Sequence, residues 1–248
     1  MNFINATVNT KTIMQTTLKN KLFFNGVGIH NGKAVKMSIE PAEPNTGIVF
    51  KRVDLDSNNL IRSFIDNVQA SELCTKITND HGISISTIEH LMATFNGLKI
   101  DNAIIKINSP ELPAMDGSAS EYTQKIIKSG IQKQNINRKY LKIKKNVSIH
   151  EGHRHITVSP ANKLTLDIEI NYPNTIIGND KFLYTDSSEE FINNISEART
   201  FAFYEDIQKM RTAGLALGGS LNNAIVVDHF KIINPLGLRL NQEFTKHK

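Results

Sequence analysis

The sequence predicts an α+β protein of two similar domains that face each other. Three observations carry that reading. Alternating apolar and polar runs, the mark of half-buried strands, fill residues 18–39 and return over 140–170. A polar stretch without periodicity, Gln132 to Arg138, separates them and reads as a linker. Each region then closes with a helical pattern, a buried strand and a second helical pattern. The expected boundaries are a disordered leader over residues 1–15, a first domain over 16–131 and a second over 139–248.

In order, Leu18 to Phe24 reads as a strand and Val35 to Ile39 as its partner, with Asn31-Gly32 as the hairpin turn between them. Gly47 to Arg52 is a short strand, and Asp54 to Asn59 a loop. A helix is expected from Ser86. Ser86 and Glu89 have capping-box spacing, and Ile88, Leu91, Met92 and Phe95 form an i, i+3, i+4, i+7 stripe that stops before Gly97. Ala103 to Ile107 is a buried strand, and Ser118 to Lys128 a helix closed by Gly130. Beyond the linker, strands are expected at Tyr140–Ile149, His155–Val158 and Leu164–Ile170. Helices follow at Ser188–Ile195 and Ala202–Met210. Gly214 to Ser220 is a glycine-rich turn, Ala224 to Val227 a buried strand, and a last helix opens near Asn241.

Composition narrows the function. The chain has 248 residues, 40% hydrophobic and 21% charged, which is ordinary for a globular protein. No apolar run approaches the roughly 18 residues that span a bilayer, so stable membrane insertion is not expected. The N-terminus lacks a basic and then apolar signal, and the single Cys74 fits a reducing compartment, so the expected location is cytoplasmic. The net charge of +5 invites a nucleic-acid reading. The densest basic cluster, Arg138-Lys139 and Lys142 to Lys145, alternates with apolar residues as a solvated strand does, and no nucleic-acid motif accompanies it. No nucleic-acid partner is expected, and an anionic small substrate accounts for the charge equally well.

Chemistry concentrates at Glu89-His90. At 100° per residue these side chains fall roughly 100° and 200° from Ile88, so His90 leaves the apolar face beside the small Ala93 and Thr94. Two readings stand. Glu89 is only the capping partner of Ser86 and His90 a surface histidine, or a helix start presents a zinc ligand with a general base beside it. His247 lies in a helical pattern with Leu240 and Phe244, and a helix-borne site would place a further ligand four residues on. His150, His153 and His155 resemble a metal tract, but strand alternation puts His150 on the face opposite the other two, which favours a solvated hairpin.

Several segments together resemble the UDP-3-O-acyl-N-acetylglucosamine deacetylases, zinc amidases of lipid A biosynthesis. They are Thr17-Leu-Lys19, Gly26-Val-Gly-Ile-His30-Asn-Gly32, Leu73-Cys-Thr75, Ser86-Thr-Ile-Glu-His-Leu91, Gly97-Leu-Lys-Ile-Asp-Asn102, Pro110-Glu-Leu-Pro-Ala-Met-Asp-Gly-Ser118, Ala198-Arg-Thr-Phe-Ala-Phe203, Gly214 to Ser220, Ala224 to Asp228, Leu238-Arg-Leu240, and Glu243-Phe-Thr-Lys-His-Lys248. The resemblance runs collinearly from about residue 16 to the last residue. It implies two βααβ domains, each with a small insert, and Zn2+ as cofactor. It implies Glu89 as general base, His90 and His247 as zinc ligands, and Thr200 as the oxyanion's hydroxyl donor. Phe201 and Lys248 become contacts to the hexosamine or uridine region and to the diphosphate, and Ala202 to Ser220 the passage for the acyl chain. The substrate implied is an acylated UDP-N-acetylglucosamine, handled by a monomer. The family's Asp ligand, one turn beyond the His-Lys pair, and its later Gly-His acid have no counterpart here. The expectation is therefore a C-terminally truncated second domain. The alternative function is an inactive remnant with weak UDP-sugar binding.

Overall fold

Two hairpins joined by a third element form the larger sheet. In the computed structural model, which describes residues 13–248, β1 is Met14–Leu18, β2 Leu22–Val27, β3 Ala34–Pro41, β4 Ile48–Arg52 and β5 Leu60–Arg62. A small antiparallel sheet follows, of β6 (Val68–Gln69), β7 (Lys76–Thr78) and β8 (Ser84–Ser86). Helix α1 (Glu89–Leu98) leads to β9 (Ala103–Ile107), then to α2 (Ser120–Ser129) and β10 (Ile131–Asn137). Strand β9 runs antiparallel to β3 and parallel to β4, giving the order β2-β3-β9-β4-β5. The stripe on α1 packs on this sheet: Ile88, Leu91 and Phe95 join Phe24, Ile39, Phe50, Ile61, Ile105 and Tyr122 in one core, with Met92 at its margin.

The second half opens with two hairpins, β11 (Val147–Glu151) with β12 (Arg154–Val158) and β13 (Thr165–Tyr172) with β14 (Gly178–Thr185). Helix α3 (Ser188–Glu190) continues into a π-helical turn over Phe191–Ile195. Next come β15 (Phe201–Phe203), α4 (Tyr204–Thr212), β16 (Ile225–Asp228), β17 (Lys231–Ile232) and α5 (Glu243–His247). Strand β16 lies between β15, to which it is parallel, and β17. The fold is mixed α+β, as the sequence predicts.

Several local expectations need correction. Residues 1–12 of the expected leader lie outside the described residues, and Met14 and Gln15 already belong to β1. Gln132 to Arg138 is no linker: it supplies most of β10, which pairs antiparallel with β1. Its polar side chains serve the pairing, since Gln134 accepts from Asn102 (2.7 Å) and donates to the Ala42 carbonyl (2.7 Å). Residues 139–146 form no strand, and Phe201 to Phe203 is a strand held by β16 rather than the start of a helix. The capping box is not made. Thr87 adopts a left-handed φ of 58°, the Ser86 hydroxyl donates to the Pro110 carbonyl, and α1 starts only at Glu89.

Candidate active site

The first turn of α1 and the end of α5 meet between the two halves. Glu89, freed from capping, turns its carboxylate to the loop before β7 and accepts the Thr75 amide at 2.9 Å. His90 follows it in the same turn. Its Nε2 stands 3.1 Å from Nε2 of His247, with the rings nearly perpendicular. Burial lowers the His90 imidazole below its ordinary range, against the raising pull of Glu89 and Asp116. Burial, then His90 and Lys248, puts His247 well below it. Both rings are therefore neutral near pH 7, and neutral imidazole is the form that binds a metal.

Two imidazole nitrogens each about 2.0–2.1 Å from one tetrahedral zinc ion would lie about 3.3 Å apart. The observed 3.1 Å is close to that span. Among the described residues the Nδ1 of His247 is buried without a partner, so the ring's polar contact within the protein is made through Nε2 to His90. These two residues fit a share of a metal centre. Among the described residues no group of three His, Cys, Asp or Glu side chains converges as a full donor set would.

The helix α5 is short, and its position comes from Glu243, one turn before His247. Glu243 is fully buried and takes a two-point ion pair from Arg199 (2.7 and 3.1 Å), together with the amides of Arg199 (3.1 Å) and Arg239 (2.6 Å). Burial alone would raise its carboxyl, but these donors hold it below its usual range. Asp116 behaves in the same way, its burial offset by Arg239 (2.5 Å) and Ser118 (2.8 Å). The Asp116–Arg239 pair crosses between the halves beside His90.

Five of the residues singled out from sequence gather here. Phe201 packs edge-on against His247 (6.1 Å between centroids) and Phe244 (5.0 Å), and the Lys248 ammonium sits 5.1 Å over the Phe201 ring. Partial burial and the charge of Arg154 lower the Lys248 ammonium, while Glu89 acts to raise it. Glu89, His90, Phe201, His247 and Lys248 thus share one neighbourhood. Thr200 precedes Phe201, and its backbone is pinned at both ends, the amide to Gly117 O (2.8 Å) and the carbonyl to Ile225 N (2.8 Å).

The histidine tract lies on an exposed hairpin whose Arg154 bears on Lys248. His150 and His155 are direct cross-strand partners with stacked rings 5.7 Å apart, and His153 occupies the turn. The expected faces need correction, because the two-residue turn at Gly152-His153 sets the register that brings 150 opposite 155. A cavity of about 320 Å3 opens beside the aromatic cluster, lined by Tyr172, Phe203, Glu205, Asp206, Asp228 and His229, with neither His90 nor His247 in its lining.

The family model for UDP-3-O-acyl N-acetylglycosamine deacetylase matches residues 15–248. The chain belongs to this deacetylase family. Among its relatives, the UDP-3-O-acyl-N-acetylglucosamine deacetylase of Haemophilus influenzae is 42% identical over 238 residues, covering 95% of this chain and 78% of the relative. That of Shewanella violacea is 44% identical over the same shares, and that of Histophilus somni 40%. Some residues of this deacetylase family member escape sequence reasoning as site components. Arg199, Glu243, Asp116 and Arg239 all stand inside the resembling segments, but pairings across 44 and 123 positions leave no local periodicity to read. Arg154 lies outside those segments altogether. No helix among the described residues is long and apolar enough to cross a membrane.

Proposed function

We propose that this chain is a zinc-dependent deacetylase that hydrolyses the N-acetyl group of a UDP-3-O-(3-hydroxyacyl)-N-acetylglucosamine in lipid A biosynthesis, acting in the cytoplasm as a monomer. The observation that carries the reading is the convergence of His90 and His247 to 3.1 Å with Glu89 beside them. In this reading the two imidazoles hold Zn2+, which when bound supplies Lewis acidity toward the amide carbonyl. Glu89 takes a proton from the attacking water as the water oxygen bonds to the acetyl carbon and the carbonyl oxygen takes up the electron pair. As that oxyanion collapses the C–N bond breaks, and the sugar nitrogen leaves with the proton Glu89 gives back. The hold of Glu89 on the Thr75 amide fixes the carboxylate for these transfers. The Thr200 hydroxyl donates to the developing oxyanion. The Phe201 ring receives the hexosamine or uridine region, and Lys248, with Arg154 beside it, faces the diphosphate. Residues 202–220 form the passage for the acyl chain.

A second reading, an inactive remnant with weak UDP-sugar binding, draws on the same centre: two protein donors hold zinc more loosely than three. Acetate release from the acylated substrate with added Zn2+ separates the two. Glu89→Ala is expected to lower kcat by about 10²–10⁴ with zinc content retained. His90→Ala is expected to lose zinc. If both variants keep zinc and turnover, the assignment fails. No turnover by the unaltered chain, with UDP-sugar binding intact, would favour the remnant.

A further inference from the structure

The two halves also touch away from the imidazole pair. The glycine-rich segment 214–220 lies on the loop that follows β2, where Leu217 N–H donates to the His30 carbonyl and Gly218 N–H to the Ile29 carbonyl, both at 3.0 Å. The backbones meet with no side chain between them: a Cβ on Gly218 would stand 2.3 Å from the Gly28 carbonyl oxygen. Beneath the loop lies Glu111, 2% exposed. One of its oxygens accepts the His30 amide and the other the Asn31 amide, each at 2.8 Å, and the Thr87 hydroxyl donates at 3.2 Å. Gly28 leaves room for the carboxylate, since a Cβ there would sit 2.5 Å from Glu111 Oε2.

Every one of these donors is neutral. A carboxylate buried on such partners acts through what it holds, because an apolar replacement would leave the part-buried His30 and Asn31 amides without their acceptor. What it holds is a junction. Glu111 is laced to the segment entering α1 by Ser86 N–H to Pro110 O (2.9 Å) and Leu112 N–H to Ser86 O (3.1 Å), and Thr87 precedes Glu89 by two residues. The same side chain therefore fixes the approach to the base-bearing helix and the loop on which the segment 214–220 rests.

We propose that Glu111 is a positioning residue that seats the segment 214–220 at a set distance from Glu89 and so governs how the protein grips the acyl arm of its substrate. The proposal rests on reading residues 202–220 as the acyl passage. Glu111→Gln keeps the shape but turns an NH2 group toward one of the two amides. Hydrogen exchange of the whole chain is expected to quicken about tenfold at the amides of His30, Asn31, Leu217 and Gly218, with α1 unchanged. The ratio of kcat/KM for UDP-N-acetylglucosamine carrying a long 3-O-acyl chain to that for the sugar nucleotide without one is expected to fall about tenfold, mainly through KM. A merely structural role would quicken exchange everywhere and lower both substrates alike, and that outcome overturns the proposal. So does unchanged exchange at Leu217 and Gly218. If the unaltered chain turns over neither substrate, the deacetylase reading fails, and the exchange measurement decides on its own whether Glu111 seats the segment.

Discussion

Each half contains a pair of antiparallel hairpins, and the two halves bury them very differently. In the first half β9 bonds to β3 on one side and β4 on the other, so four hairpin strands and a central one make a single sheet. Helix α1 covers it, and Phe24, Ile39, Phe50, Ile61 and Ile105 are fully buried. In the second half β11–β12 and β13–β14 remain separate two-stranded sheets among the described residues. Val147, Ile149, Ile156 and Val158 line one face of the first hairpin, and Ile149 and Ile156 are 69% and 68% exposed. The apolar clusters of this half are small, one of Ile177, Ile225, Val227 and Phe244, the other of Tyr184 and Phe191 against Ala119 of the first half. Alternation gives a strand two faces. A joining strand and a covering helix turn one of those faces into core.

The imidazole pair straddles this contrast, since His90 stands on the closed half and His247 on a short helix held by the buried Arg199–Glu243 pair, by Phe244 in a small apolar cluster and by Thr245 to Asp180. The largest effect should therefore come from that ion pair. Glu243→Ala leaves Arg199 buried without its partner and is expected to cost about 3–5 kcal/mol in the opening of α5, read by amide exchange there. First-half strands are expected to hold their protection. Equal loss in both halves would mean that they unfold as one unit, which would break the contrast.

A matched pair of truncations tests the cores directly. Ile105→Ala, in the middle of β9, is expected to cost about 2–5 kcal/mol by denaturant unfolding. Ile156→Ala, on the exposed hairpin, is expected to stay within about 0.5 kcal/mol. A large loss at Ile156 would show that its face is covered in solution.

Acid sharpens the comparison from the electrostatic side. The Glu243 carboxyl sits below its usual range in the fold, so its contribution is present above the unfolded value, about pH 4.3, and is lost as pH falls through the lower folded value. Exchange in α5 is expected to speed up below about pH 4 relative to β3 and β9. Glu243→Gln should remove that pH dependence, and its persistence would assign it to another group. The smallest effect expected is none. Replacing His150, His153 and His155 together should leave zinc affinity unchanged, because their side chains are exposed and His150 and His155 stack on each other rather than on the imidazole pair. Loss of zinc in that variant, measured by metal titration, would move the centre.

Much of this was legible in one dimension. The α1 stripe, the Asn31-Gly32 hairpin, the α2 helix ending at Gly130 and the buried strands at Ala103 and Ala224 all follow from short-range periodicity and turn chemistry. Errors came where tertiary pairing overrode local character. Gln132 to Asn137 is polar enough to read as linker, yet its backbone pairs with β1 and its side chains find Asn102 and Ala42. The capping box failed because Glu89 found a stronger tertiary partner in the Thr75 amide. At the site, residue types and spacing singled out Glu89, His90 and His247, and the family resemblance implied Thr200, Phe201 and Lys248, but nothing local could reveal the Arg199–Glu243 pair beside His247.

The sequence by itself determined the class of fold, the elements with strong periodicity and the family, because those depend on which residues lie within a few positions of one another. Only the tertiary structure decided which polar groups are satisfied and by whom: Glu89 by Thr75, Glu111 by His30 and Asn31, Glu243 by Arg199. The physical reason is that a buried charge takes its partner from whatever packing brings within hydrogen-bond reach, across 14, 80 or 44 positions of chain alike.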